Sequence, residues 1–175
     1  MFRHLIVAAL AVSGAHASAS LLDQAGSVSI RMTGFSHGYA SANVTVDSFN
    51  TIGVGQLQGT VQLPGAASPT SFLTYCTDLF QSFSWNTTYA YSYAGTDTAQ
   101  GLTSIQASRL GKLYTAVGDV ASTNESVAFQ LAVWELLYEV PPEDVTDGNF
   151  RLLSGASTTQ RSLANTWLAE VMAQD

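Results

Sequence analysis

Along the first half of the chain, apolar and polar residues alternate with the period of two that sends successive strand side chains to opposite faces. The apolar positions are Val28, Ile30 and Met32 in SVSIRMTG, Val44 and Val46 in ANVTVDSF, and Leu57, Val61 and Leu63 in QLQGTVQL. Turn-forming stretches separate them, GVG at Gly53 to Gly55 and PGAASP at Pro64 to Pro69. SFLTYCTDL predicts a further strand, with Phe72, Thr74, Cys76 and Asp78 on one face and Leu73, Tyr75, Thr77 and Leu79 on the other. TTYAYSY puts Tyr89, Tyr91 and Tyr93 on a common face, which favours packing over a sheet above a ligand platform.

After Gly95 the period becomes helical. Ile105, Leu110, Leu113, Tyr114 and Val117 line one side of a helix, with Ser104 as N-cap and Gly118 just past its end. STNE, Ser122 to Glu125, has capping-box spacing and opens a second helix that runs to about Glu139, where Pro141 and Pro142 forbid continuation. STTQ, Ser157 to Gln160, repeats the device ahead of a last helix carrying Leu163, Trp167 and Val171. Strands over about 27–93 followed by helices over about 104–172 predict one α+β domain, residues 20–175, built as an antiparallel β-sandwich or barrel with a small helical subdomain. Repeating βαβ units are not expected.

The second helix raises a chemical question. In VAFQLAVWELLY, positions 127, 128, 129, 131, 132, 133 and 134 are apolar, which leaves no solvent face over the central two turns. A helix apolar all round is buried. Gln130 then carries a primary amide into the core, at a cost of about 1 to 3 kcal/mol unless it is hydrogen-bonded or consumed by a reaction. A hydrogen bond to neighbouring backbone is the ordinary solution.

Composition places the chain outside the cell. Of its 175 residues 46% are hydrophobic and only 11% charged, less than half the share of about 25% usual for soluble domains. Residues 1–19 explain part of the excess: MFRH is a basic n-region, LIVAALAVSGA an apolar run too short to span a bilayer, and AHA or ASA a small-residue cleavage site. A signal peptide of residues 1–17 or 1–19 is expected, and no later stretch has the length of a membrane helix. Cleavage removes Arg3 and leaves five basic residues against thirteen acidic ones. With no basic patch to offset that charge, nucleic acid is disfavoured as a partner. The single cysteine, Cys76, has no partner for an internal disulfide and is a buried thiol, an intermolecular bridge or a reactive group.

Together, TYCTDL and AFQLAVW resemble the bacterial thioester domains of surface adhesins, whose cysteine lies in a Tyr-Cys-Ile-Asp-like strand and whose glutamine lies in a Gln-x-Ala-x-Trp helix. Tyr75, Cys76 and Asp78 match the first pattern, and Gln130, Ala132 and Trp134 the second. Thr77 stands where Ile or Val is usual. The chain is also similar, over about residues 72–170, to exported Gram-negative proteins that pair such a cysteine segment with an AFQLAxWE helix and often end in a PEP-CTERM sorting tail. The sequence to Asp175 carries neither a Pro-Glu-Pro tail nor a sortase motif, so surface anchoring has no support in it. The resemblance implies a Cys76–Gln130 thioester that captures an amine or other nucleophile on a protein or polysaccharide surface, once per molecule, with no cofactor, no metal and no enzymatic turnover. Tyr75, Asp78 and Trp134 would support it, and Phe72, Phe80 and Phe83 would help to exclude water.

Other chemistries fit less well. A cysteine hydrolase needs a histidine, and His37 with Asp47 or Asp78 completes a triad only on paper, since FSHGYA carries no catalytic-loop pattern. In DVTDGNF, Asp144, Asp147 and Asn149 are hard oxygen ligands without EF-hand spacing, and Asp-Gly there predicts a turn. Asp78 has its own bland role, bonding to a turn at a strand end. Lys112 is the sole lysine, so copies of the protein offer each other few amines. The rival reading is a non-covalent, β-rich extracellular binding or matrix protein with an ordinary cysteine.

Overall fold

A computed structural model describes residues 3–4, 26–93, 102–139, 141–142 and 144–175. The expected signal peptide lies outside the described residues except for Arg3 and His4. The strands are β1 (Arg3–His4), β2 (Gly26–Phe35), β3 (Ala40–Val46), β4 (Ser48–Val54), β5 (Leu57–Gln62), β6 (Thr70–Thr74), β7 (Thr88–Tyr93) and β8 (Arg151–Ser154). The helices are α1 (Ser104–Val117), α2 (Thr123–Tyr138) and α3 (Thr158–Met172). The fold is α+β, with two open sheets that do not close into a barrel among the described residues. No helix among them is long and apolar enough to cross a membrane.

Two compact units divide the chain: Met1–Ser36 with Leu57–Leu102, and His37–Gln56 with Thr103–Asp175. The first holds a five-stranded sheet in the order β1-β7-β2-β5-β6, antiparallel except for the β1–β7 pair. Its core is the alternating set the sequence predicts, Val28, Ile30, Met32, Leu57, Val61 and Phe72, together with Tyr91. Leu63 and Tyr89 pack partly buried against that core, so the tyrosine row does serve the sheet. The Tyr93 side chain lies outside the described residues.

The second unit combines all three helices with a three-stranded sheet, β4-β3-β8. The helices therefore share their core with a sheet of their own. Ala42, Val44 and Val46 on β3 are buried as alternation requires. Asp47, at φ 58°, then reverses the chain, because a short side chain tolerates the left-handed region. Alternation alone misses β8, since only Leu152 of its four residues is buried. Caps also differ in detail from expectation. Thr103, not Ser104, is the N-cap of α1, with a full capping box to Gln106. Ser157 and Gln160 form the predicted box on α3, and Gly118 ends α1 at φ 69°. Arg109 and Lys112, one turn apart on α1, bind the two carboxylate oxygens of Asp175 at 2.5 and 2.6 Å, tying α1 to the end of α3.

One glycine in the larger sheet is fixed by sterics. Gly59 on β5 lies between Met32 on β2 and Phe72 on β6, and a Cβ there would run into the Arg31 carbonyl oxygen. Backbone cannot yield as a flexible side chain can. Gly59→Ala is expected to lower the unfolding free energy by about 1 to 3 kcal/mol, measured by urea denaturation.

Candidate functional site

Cys76 belongs to the first unit, just beyond a strand. The sequence predicts a strand through Leu79, but β6 stops at Thr74 because its partner runs out: Leu57, the first residue of β5, already faces Thr74. Past that point the backbone bonds to itself. Asp78 builds a turn, its side chain accepting from the Phe80 N–H at 2.9 Å and its carbonyl from the Gln81 N–H at 3.3 Å. The Cys76 thiol donates to the same Asp78 carbonyl at 3.2 Å. Alternation survives only to Phe72 and Thr74, both 2% exposed, while Cys76 is half-buried.

A cavity of about 20 Å³ opens beside the sulfur, room for roughly one water molecule. Tyr75, Cys76, Thr77, Asp78, Gln81 and Phe83 are among the residues lining it. Tyr75, Cys76 and Asp78, neighbours in sequence, all border this cavity. Of the proposed shielding residues, Phe83 borders the cavity and Phe72 lies in the sheet core, whereas Phe80 is 57% exposed. Once the chain leaves the pleat, parity no longer decides which side chains face inward.

Gln130 belongs to the second unit. From Ser126 to Leu136 every residue of α2 is buried, and Gln130 is 1% exposed. Trp134 follows it one turn later on the same face, fully buried, its ring 6.1 Å from that of Phe150. The Trp134 indole N–H has no hydrogen-bond partner among the described residues. Two further polar residues share the burial. Ser126, one turn before Gln130, accepts the Gln56 N–H at 2.7 Å. Glu135 is wholly enclosed. Sequence reasoning passed over both, although Leu136 and Leu137 carry the apolar run far enough to enclose position 135.

The start of α2 is held at several points. Ser122 is the N-cap, but Glu125 reaches past it, accepting the Ala121 N–H at 2.8 Å and the Ser122 hydroxyl at 3.0 Å. The Thr123 hydroxyl donates to the His37 carbonyl at 2.5 Å. At the other candidate positions, oxygens are engaged in turns. Asp144 accepts from the Thr146 N–H and hydroxyl, and Asp147 from the Gly148 N–H. Among the described residues no three His, Cys, Asp or Glu side chains gather as metal ligands would.

In comparisons with known proteins, no family model, no curated protein and no solved structure matches this chain.

Two outcomes are expected at α2. Ser126→Ala leaves the buried Gln56 N–H without its acceptor and should cost about 1 to 3 kcal/mol of stability, read from urea denaturation. The Ala121 N–H, and after it the Ser122 hydroxyl, hold the Glu125 carboxyl below its ordinary 4.5. Because the folded-state value is the lower one, that stabilisation is complete above 4.5 and is lost as the pH falls through the lowered value. Glu125→Gln should flatten the acid limb of the stability profile, followed by thermal unfolding across that range.

Proposed function

We propose that this chain is an exported protein that joins Cys76 to Gln130 in an internal thioester and uses it to attach covalently to a surface nucleophile, an amine or similar group on protein or polysaccharide. The observation that carries the reading is Gln130, a primary amide enclosed within a helix buried on every face from Ser126 to Leu136. In the reaction the Cys76 sulfur adds to the Gln130 side-chain carbonyl carbon. The sulfur–carbon bond forms, the carbon–nitrogen bond breaks, and the thiol proton leaves with the amide nitrogen as ammonia. A buried group with four hydrogen-bonding sites becomes a single carbonyl acceptor.

Capture reverses the roles. An incoming amine attacks the same carbon, the sulfur leaves as thiolate and takes the amine's proton, and an amide links the target to residue 130. One molecule acts once, without turnover. Both steps need close approach of the reacting atoms and exclusion of water. Supporting features are the half-buried sulfur beside a cavity with room for about one water, and the burial of Gln130 and Trp134.

Intact-mass measurement tests the proposal. The mature chain should be lighter than its sequence mass by one ammonia, and methylamine should add its whole mass at residue 130. Cys76→Ala and Gln130→Ala should each show the full sequence mass and take up no amine. Full mass in the wild-type chain, with an alkylatable thiol, would leave the non-covalent reading in its place.

A further inference from the structure

Between β6 and β7, residues 75–87 form no regular structure but are firmly tied. The Asn86 N–H donates to the Met32 carbonyl at 2.8 Å, the Ser84 N–H to the Tyr89 hydroxyl at 3.0 Å, and the Thr87 N–H to the Ser84 carbonyl at 3.3 Å. Asn86 holds φ 61°, a conformation its short amide side chain tolerates. On this frame Trp85 is braced by two rings, Phe35 at 5.3 Å and 67° and Phe83 at 5.0 Å and 90°. The indole is nevertheless 43% exposed, and Phe80 on the same loop 57%.

A large aromatic ring that is both exposed and immobilised is suited to binding, because little side-chain entropy remains to be lost. We propose that the 80–86 loop binds a neutral, hydroxyl-rich saccharide chain, with Trp85 stacking on the apolar face of a sugar ring and Gln81, Ser82, Ser84 and Asn86 bonding to its hydroxyls. A pyranose presents C–H groups on its faces and hydroxyls around its rim. The loop alternates in the same way, aromatic at 80, 83 and 85 and neutral polar at 81, 82, 84 and 86.

Other ligand classes fit the loop less well. The chain's formal charge of −7 repels nucleic acid and anionic lipid surfaces. An apolar protein partner needs on the order of 800 Å² of buried surface on each side, more than one braced indole and one phenylalanine broken up by amides offer. Phe83 touches Trp85 and also borders the cavity at Cys76. A saccharide on the loop would therefore offer its own hydroxyl beside the sulfur. That last step rests on the thioester reading; the binding does not.

Affinity electrophoresis of the full chain in gels containing laminarin, xyloglucan or dextran tests the site, with Cys76→Ala run alongside so that binding is read without covalent capture. Retardation by at least one of these glycans is expected in both chains. Trp85→Ala should weaken it about tenfold, the scale of one lost aromatic contact, while Ile105→Ala, an exposed apolar residue on α1, should not change it. Buried Trp134 gives a fluorescence signal that checks folding of the Trp85 variant. No retardation by any of the three, equal retardation of Trp85→Ala, or flotation with phosphatidylcholine vesicles that depends on Trp85 would overturn the proposal. If the ammonia deficit is absent but Cys76→Ala and wild type are retarded alike, the thioester fails and the saccharide site stands.

Discussion

Enclosure of α2 on all sides is the constraint from which the second unit is built. A surface helix can leave polar residues in water, but one buried from Ser126 to Leu136 must account for each of them. Ser126 meets the requirement by taking a backbone N–H from outside the helix. Around α2 stand α3, whose Trp167 ring lies 6.3 Å from that of Phe129, and Phe150, just ahead of β8. The caps at Thr103, Ser122 and Ser157 each take an N–H from the first turn of their helix, one of the donors that a helix start leaves without a partner.

The same economy of hydrogen bonds shapes the sheet whose edge strand leads into the cysteine loop. With its N–H engaged at Ser126, Gln56 stays outside the ladder and β5 begins at Leu57. A strand that starts there can pair with β6 no further than Thr74. Cys76 consequently falls in a loop shaped by Asp78 instead of on a pleated face, with its sulfur bound to a carbonyl two residues on. Strand-bound, its position would follow from register. Loop-bound, it depends on the Asp78 turn.

Sequence periodicity made much of the architecture readable. Val28, Ile30, Met32, Leu57, Val61 and Phe72 were identified from alternation and form the core of the larger sheet. The burial of Gln130 followed from counting apolar neighbours around a helix, and STTQ gave its capping box directly. Illegible features share one physical trait, dependence on partners far along the chain. The β3–β4 hairpin looks like any other pair of strands, and nothing local shows that it joins β8 and the helices instead of the larger sheet. The end of β6 was set by where β5 starts. Phe80, a candidate for excluding water, is 57% exposed on the loop beyond β6. Of the candidate residues, Gln130 lies on a helix as its pattern predicts and Cys76 just past the end of its strand; the cavity beside the sulfur and the buried Ser126 and Glu135 were not legible.

The clamp at the end of α3 also affects how the molecule can be handled. Lys112 carries the only side-chain ammonium in the sequence, and it is committed to the Asp175 carboxylate and, at 2.8 Å, to the Gln174 carbonyl. Reagents that derivatise primary amines therefore meet one guarded side chain, so fluorophores and biotin coupled by succinimidyl esters report mainly on the amino terminus. Aldehyde fixation, which bridges lysines, has almost nothing here to bridge.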